Sequence, residues 1–143
     1  MEQSKSKSCV IISPIKMEMD QCLKYFQNFR VNTDVISPNE EIVAGYLNSN
    51  HTDLIVIHIK NSNLPAIELI KLIKSIQPYI YIAVIVDQQD IHLVVEPLRL
   101  GAFDYIIKGG NEADQIKEIL HRMETLKQIL KSNKINTFVK EVK

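Results

Sequence analysis

The chain has no tryptophan, and aromatic residues make up only 6% of it against 45% apolar residues in all. A core built from isoleucine, leucine and valine is therefore expected. Cysteine is scarce: Cys9 and Cys22 are too few for a disulfide framework and lack metal-ligand spacing. They read as two small hydrophobes in a reducing compartment. A charge bias is missing too, since 17 basic and 17 acidic residues cancel. The whole molecule has no electrostatic pull toward nucleic acid or anionic lipid. The local lysine excess after Arg122 (Lys127, Lys131, Lys134, Lys140, Lys143) is diluted by Glu124 and Glu141, and reads as a solvated helix face and tail. No run approaches the ~20 apolar residues of a membrane helix. The polar start, residues 1–8, lacks the apolar stretch of a signal peptide and reads as a tail. A soluble, cytoplasmic protein is expected, with no direct contact to membrane or nucleic acid.

The 143 residues suit one domain with a sizeable core. Cys9–Ile12 is a short apolar run ending at Ser13-Pro14, where Ser as N-cap and Pro at the first helical position predict a helix start. Met17, Met19 or Cys22, Leu23 and Phe26 follow at near-helical spacing. Val31–Ile36 is a second strand. Ser37-Pro38-Asn39-Glu40 reads as a capping box opening a helix to about Asn48. Asp53–Ile59 is a third strand, and Leu64-Pro65 opens a helix that Pro78 ends. Ile80–Val86 is a fourth strand. Asp90 is placed to cap a helix ending at Gly101, which Pro97 should kink or shorten. Phe103–Ile107 is a fifth strand. Asn111 with Asp114 starts a last helix running to about Lys131. Five strands thus alternate with five helices. The middle strands are continuously apolar, as strands covered on both faces must be, so the reading is a three-layer, doubly wound α/β domain with a parallel sheet. Its site belongs at the carboxyl ends of the strands, where Ser13, His58, Val86 and Lys108 fall. No Gly-rich loop follows the first strand, which disfavours a nucleotide-binding flavodoxin-like protein.

Asp53-Leu54-Ile55-Val56-Ile57-His58 and, fifty residues on, the phrase Leu100-Gly101-Ala102-Phe103-Asp104-Tyr105-Ile106-Ile107-Lys108 resemble the response-regulator receiver domain of two-component signalling. The resemblance covers roughly residues 9–125. It implies a strand order 2-1-3-4-5, a phosphate-binding role for Lys108 and a switch role for the aromatic Tyr105. It also implies a phospho-accepting Asp at position 58, an acidic pair at 13–14 and a hydroxyl residue at 86. Here those positions hold His58, Ser13-Pro14 and Val86. A hydroxyl, a proline ring and an imidazole do not replace three carboxylates around Mg²⁺, which is a hard cation selecting oxygen ligands. Without metal, aspartyl-type phosphoryl transfer loses its main charge-neutralising element. Gly109 stands where the family usually has Pro after the Lys.

The chain is accordingly expected to be a degenerate pseudo-receiver. It would be no enzyme, hold no cofactor or metal, and act through protein–protein contact or dimerisation in a two-component or transcription-regulatory system. Two rivals stand beside this reading. One is a phosphorylatable regulator using His58 or a displaced acid; the other is a small-ligand or anion sensor using the pocket around Lys108. Asp87, following Val86, is expected to reach Lys108, Lys60 or His58, with His58 a neutral hydrogen-bonding filler. Residues 126–143 read as an extended last helix and tail, a candidate linker to an output domain. Met123, Leu126, Ile129 and Leu130 form its candidate dimer or linker face.

Overall fold

The structure is a computed structural model that describes the backbone of residues 7–142 and the side chains of residues 7–132. Most of the expected tail, residues 1–6, and Lys134, Lys140, Glu141 and Lys143 therefore lie outside the described side chains. Five strands, β1 (Lys7–Ile12), β2 (Val31–Ile36), β3 (Leu54–His58), β4 (Tyr81–Asp87) and β5 (Asp104–Lys108), form one parallel sheet in the order 2-1-3-4-5. The helices are α1 (Asp20–Asn28), α2 (Glu40–Ser49), α3 (Leu64–Ile76), α4 (Val95–Arg99) and α5 (Glu112–Val142). The doubly wound architecture expected from the continuous apolar strands is the one observed.

Each strand feeds both faces of the sheet by simple alternation. Val10, Ile12, Ile55, Ile57, Val84 and Val86 pack with Val43 and Leu47 of α2 and with Leu69, Ile70 and Ile73 of α3. Cys9, Ile11, Leu54, Val56, Ala83, Ile85 and Ile106 pack with Cys22 and Phe26 of α1 and with Ile116, Ile119 and Met123 of α5. Both cysteines are buried and unpaired. Burial pushes the Cys22 thiol up to about 12 and that of Cys9 well above its usual value, so neither is a ready thiolate.

Four local expectations need correction. Lys7 and Ser8, read with the tail, pair with Val31 and Asn32 in β2, because the Ser8 N–H also finds the Asp53 carboxylate at 2.9 Å. Ser13 does not cap a helix. The chain passes through a 3-10 turn at Lys16–Met19 before α1 begins at Asp20, and the Ser13 hydroxyl serves the cleft instead. The cap of α2 is Asn39, whose Oδ1 accepts from the Ile42 N–H at 3.1 Å, so Ser37-Pro38 lies before the helix. Asp90 caps nothing; its carboxylate accepts from the Asn61 N–H at 3.3 Å. The segment after β4 is a 3-10 turn, Gln88–Val94, and then a five-residue α4 containing buried Pro97. That shortening is what a proline without an N–H imposes.

Candidate functional site

The carboxyl ends of β1, β3, β4 and β5 converge on one cleft. Parity explains which side chains enter it. His58, Asp87 and Lys108 follow Val56, Ile85 and Ile106 by two residues, so all three rise on the face covered by α1 and α5. Register does the rest: Asp87 is the direct neighbour of Lys108 across β4 and β5. Their charged atoms lie 3.7 Å apart, as expected for an acid reaching Lys108.

The first loop supplies the remaining groups. Ser13 lies just past β1, its N–H bonded to the Ile36 carbonyl at 3.0 Å. Its buried hydroxyl accepts from the Ile15 N–H at 3.0 Å and meets His58 Nδ1 at 2.9 Å. The imidazole is thereby fixed through one nitrogen. The other, Nε2, is buried with no hydrogen-bond partner among the described residues. Desolvation, followed by the positive charge of Lys108, holds His58 below its usual pKa. A neutral ring is the consequence. Pro14 is exposed and donates nothing to the cleft.

The sequence reading missed Glu18. The 3-10 turn buries Met19 beneath α1 and turns Glu18 back over the strand ends. Lys60 donates to both Glu18 oxygens, at 2.6 and 2.8 Å. Lys108 Nζ lies 3.6 Å from Glu18, and His58 Nε2 3.8 Å away, beyond hydrogen-bond reach. The Lys60 hydrogen bond holds the Glu18 carboxyl below its usual range and raises Lys60 in return. Two lysines at one strand-end cleft demand an anion, and Glu18 is the first acid after β1. That was the available signal, masked by reading Ser13-Pro14 as a helix start.

Val86 is fully buried on the opposite face, and Tyr105 packs half-buried against that same core. After Lys108 the chain turns through Gly109 (φ +118°) and Gly110 (φ +135°), a left-handed path that proline, fixed near −65°, cannot follow. The Glu112 carboxylate accepts from both glycine N–H groups, at 3.1 and 2.7 Å, and it rather than Asn111 or Asp114 organises the start of α5. A divalent cation does not fit these residues. The cleft carboxylates, Glu18 and Asp87, are both turned to lysines, and among the described residues no group of three or more His, Cys, Asp or Glu is placed to hold a metal.

At the far end of α5 the expected contact face divides. Met123 is 0% exposed and belongs to the core with Phe26 and Ile116, so it is no partner contact. Leu126, Ile129 and Leu130 are 36, 48 and 56% exposed on a helix that continues, backbone unbroken, to Val142.

No family model matches the chain, and no curated protein does. Solved structures do. NtrX from Brucella abortus, in complex with ADP, superposes with a TM-score of 0.76 at 18% identity, over 90% of this chain and 29% of that one. A CheY-like response-regulator receiver domain protein from Methanospirillum hungatei JF-1 gives 0.71 at 15%, over 87% and 98%. The chain has the receiver fold. The CheY-like protein tadZ from Pseudomonas aeruginosa PAO1 gives 0.70 at 21%, over 82% and 99%. The chain thus spans under a third of NtrX but nearly all of the two single-domain structures with this receiver fold. No helix among the described residues is long and apolar enough to cross a membrane.

Proposed function

We propose that this chain is a phosphorylation-independent receiver module that signals by protein–protein contact in a two-component or transcription-regulatory system, and is not an enzyme. The observation that carries the reading is the Glu18 carboxylate seated between Lys60 and Lys108, above His58. In a phosphorylatable receiver an added phosphoryl group would give the Lys its anion. Here the anion is part of the chain, so Lys108 is engaged without a donor. Glu18 and Asp87 are committed to lysines, and the His58 side chain, 0% exposed beneath Glu18, is closed off from a phosphodonor.

The contact surface in this reading is the apolar stripe Leu126, Ile129 and Leu130, which meets a second copy or the partner through which the signal passes. Covering the part of each side chain still open to water is worth about 1 kcal/mol, roughly half of full burial, which favours association once orientation is fixed. The short coverage of NtrX fits a module used within longer chains.

Incubation with acetyl phosphate and Mg²⁺, followed by intact mass spectrometry, tests the chemistry: the mass of the chain stays unchanged. Stoichiometric addition of one phosphate refutes phosphorylation independence and favours the rival acceptor reading. Sedimentation of the wild type beside a Leu126→Lys, Leu130→Lys variant tests the surface. A wild type that stays monomeric at high concentration assigns the stripe to a different partner.

A further inference from the structure

A second groove lies at the other end of the sheet. It has a volume of about 1120 Å³ and runs between the starts of β1, β2 and β3 and the middle of α5. Six basic side chains line it, Lys7, Arg30, His51, Lys117, His121 and Lys127, against two carboxylates, Asp53 and Glu124. Both carboxylates are already paired: Glu124 with Lys7 at 3.2 Å, and Asp53 with Lys127 at 3.3 Å and His51 at 3.0 Å. That leaves Arg30, Lys117 and His121 with no acid in ion-pair reach among the described residues. Counting only lysine and arginine, four positive side chains (Lys7, Arg30, Lys117, Lys127) face two carboxylates, a local positive excess on a chain of zero net charge.

Further features suggest a ligand rather than a solvated patch. Arg30 sits at φ +62°, closing α1 in the left-handed region where a residue with a Cβ is disfavoured and glycine is usual. The exposed Phe29 ring beside it offers a flat apolar face. Lys117 and His121 are four residues apart on α5 and so share one side of the helix. Beyond the Asp53–Lys127 pair lies a second cavity of about 260 Å³, lined by Thr52, whose Oγ1 is buried without any hydrogen-bond partner among the described residues.

We infer that this groove binds a small phosphate-bearing organic ligand. Arg30, Lys117 and His121 receive the phosphates, the Phe29 ring packs on the organic body, and Thr52 Oγ1 hydrogen-bonds a polar group reaching past Lys127. The volume is of small-ligand scale, and the neutral net charge argues against a nucleic-acid track. The missing Gly-rich loop concerns the opposite end of the strands and does not bear on this groove.

The test is calorimetric titration of the full chain with GTP, inorganic tripolyphosphate and guanosine. GTP binds, tripolyphosphate binds more weakly, and guanosine does not. Arg30→Gly weakens GTP binding about tenfold or more, the scale of a lost charge-assisted contact, yet leaves the thermal unfolding midpoint unchanged or raised because glycine suits that turn. Lys117→Glu weakens it further. Lys60→Ala and Lys108→Ala leave it unchanged, which separates this groove from the cleft at the carboxyl ends. Absence of GTP binding, equal binding of guanosine, indifference to Arg30→Gly, or loss on Lys108→Ala each overturns the inference.

Discussion

The two ends of the sheet handle positive charge in opposite ways. At the carboxyl ends Lys60 is paired with Glu18, and Lys108 has both Glu18 and Asp87 within 4 Å. At the amino ends Arg30, Lys117 and His121 have no carboxylate in reach among the described residues. Their sources differ. Asp87, His58 and Lys108 are strand residues, so register and parity dictate which of them meet. The amino-end basic residues Arg30, Lys117 and His121 sit on a turn and on α5, where no ladder pairs them with acids. A site closed by its own side chains has little use for an outside anion, whereas an uncompensated cluster in a groove retains its capacity for one. One sheet thus carries a cleft whose cations are paired at its carboxyl ends and a basic groove at its amino ends.

Substitutions probe this contrast, beginning with the one of largest effect. The open groove has α5 for one wall, and that wall is firm only if the helix is core up to Met123. Met123→Lys buries a charge among Cys9, Phe26 and Ile116 and should cost about 4 kcal/mol or more in urea unfolding, or abolish folding. Leu126→Lys, three residues on, should change the stability of dilute protein by no more than about 0.5 kcal/mol. Equal damage from both would mean that the exposed stripe is packed in the isolated molecule.

Ser13→Ala comes next. It strips His58 Nδ1 and the Ile15 N–H of their shared partner inside the closed cleft, at a cost of about 1–3 kcal/mol. A neutral result would show that the cleft is wetter than its geometry implies.

The pH dependence follows from the same ring. Folded His58 titrates below its ordinary 6.5, so above that value both states are neutral and nothing is lost. As the pH falls through 6.5 the unfolded chain takes up a proton that the folded ring refuses, and stability declines. Glu18, lowered from 4.5, adds a second loss at lower pH, as its carboxylate is protonated and its lysine contacts weaken. Chemical unfolding from pH 7 to 5 should show the first decline, and His58→Asn should flatten it. An unchanged slope in that variant assigns the titration to another group.

The smallest effect belongs to the amino end. His51 is exposed, and His51→Ala removes one partner from Asp53 while leaving Lys127 and the Ser8 N–H in place. A change of about 0.5 kcal/mol or less is expected by thermal unfolding. A loss as large as that of Ser13→Ala would erase the distinction between the two ends.

Repetition made the fold legible. Apolar runs of four to seven residues alternating with helix-period segments leave few topologies open, and β2, with its polar alternation, appears over Val31–Ile36 as read. The site was legible as far as strand ends could be placed: His58, Asp87 and Lys108 fell at one end, with Asp87 in reach of Lys108, Lys60 or His58, and strand register chose Lys108. It failed at the first loop, where Ser13-Pro14 carries a helix-start signal of the usual kind. The signal lost because buried His58 needed a partner for Nδ1 and Ser13 was the hydroxyl within reach. Met123 was misplaced for a related reason. Heptad spacing is the same on both sides of a domain edge, and only the sheet beneath the helix says where burial stops.

The sequence by itself determined the element order, the parallel sheet and the placing of Ser13, His58, Val86 and Lys108 at the carboxyl ends of its strands, since these depend on residue type and on periods of two and 3.6. Tertiary structure alone decided that Glu18 closes over Lys60 and Lys108, that Arg30, Lys117 and His121 line one groove, and that α5 leaves the core after Met123. Each of these joins residues far apart in the chain, and such contacts are set by how layers pack. No local pattern records them.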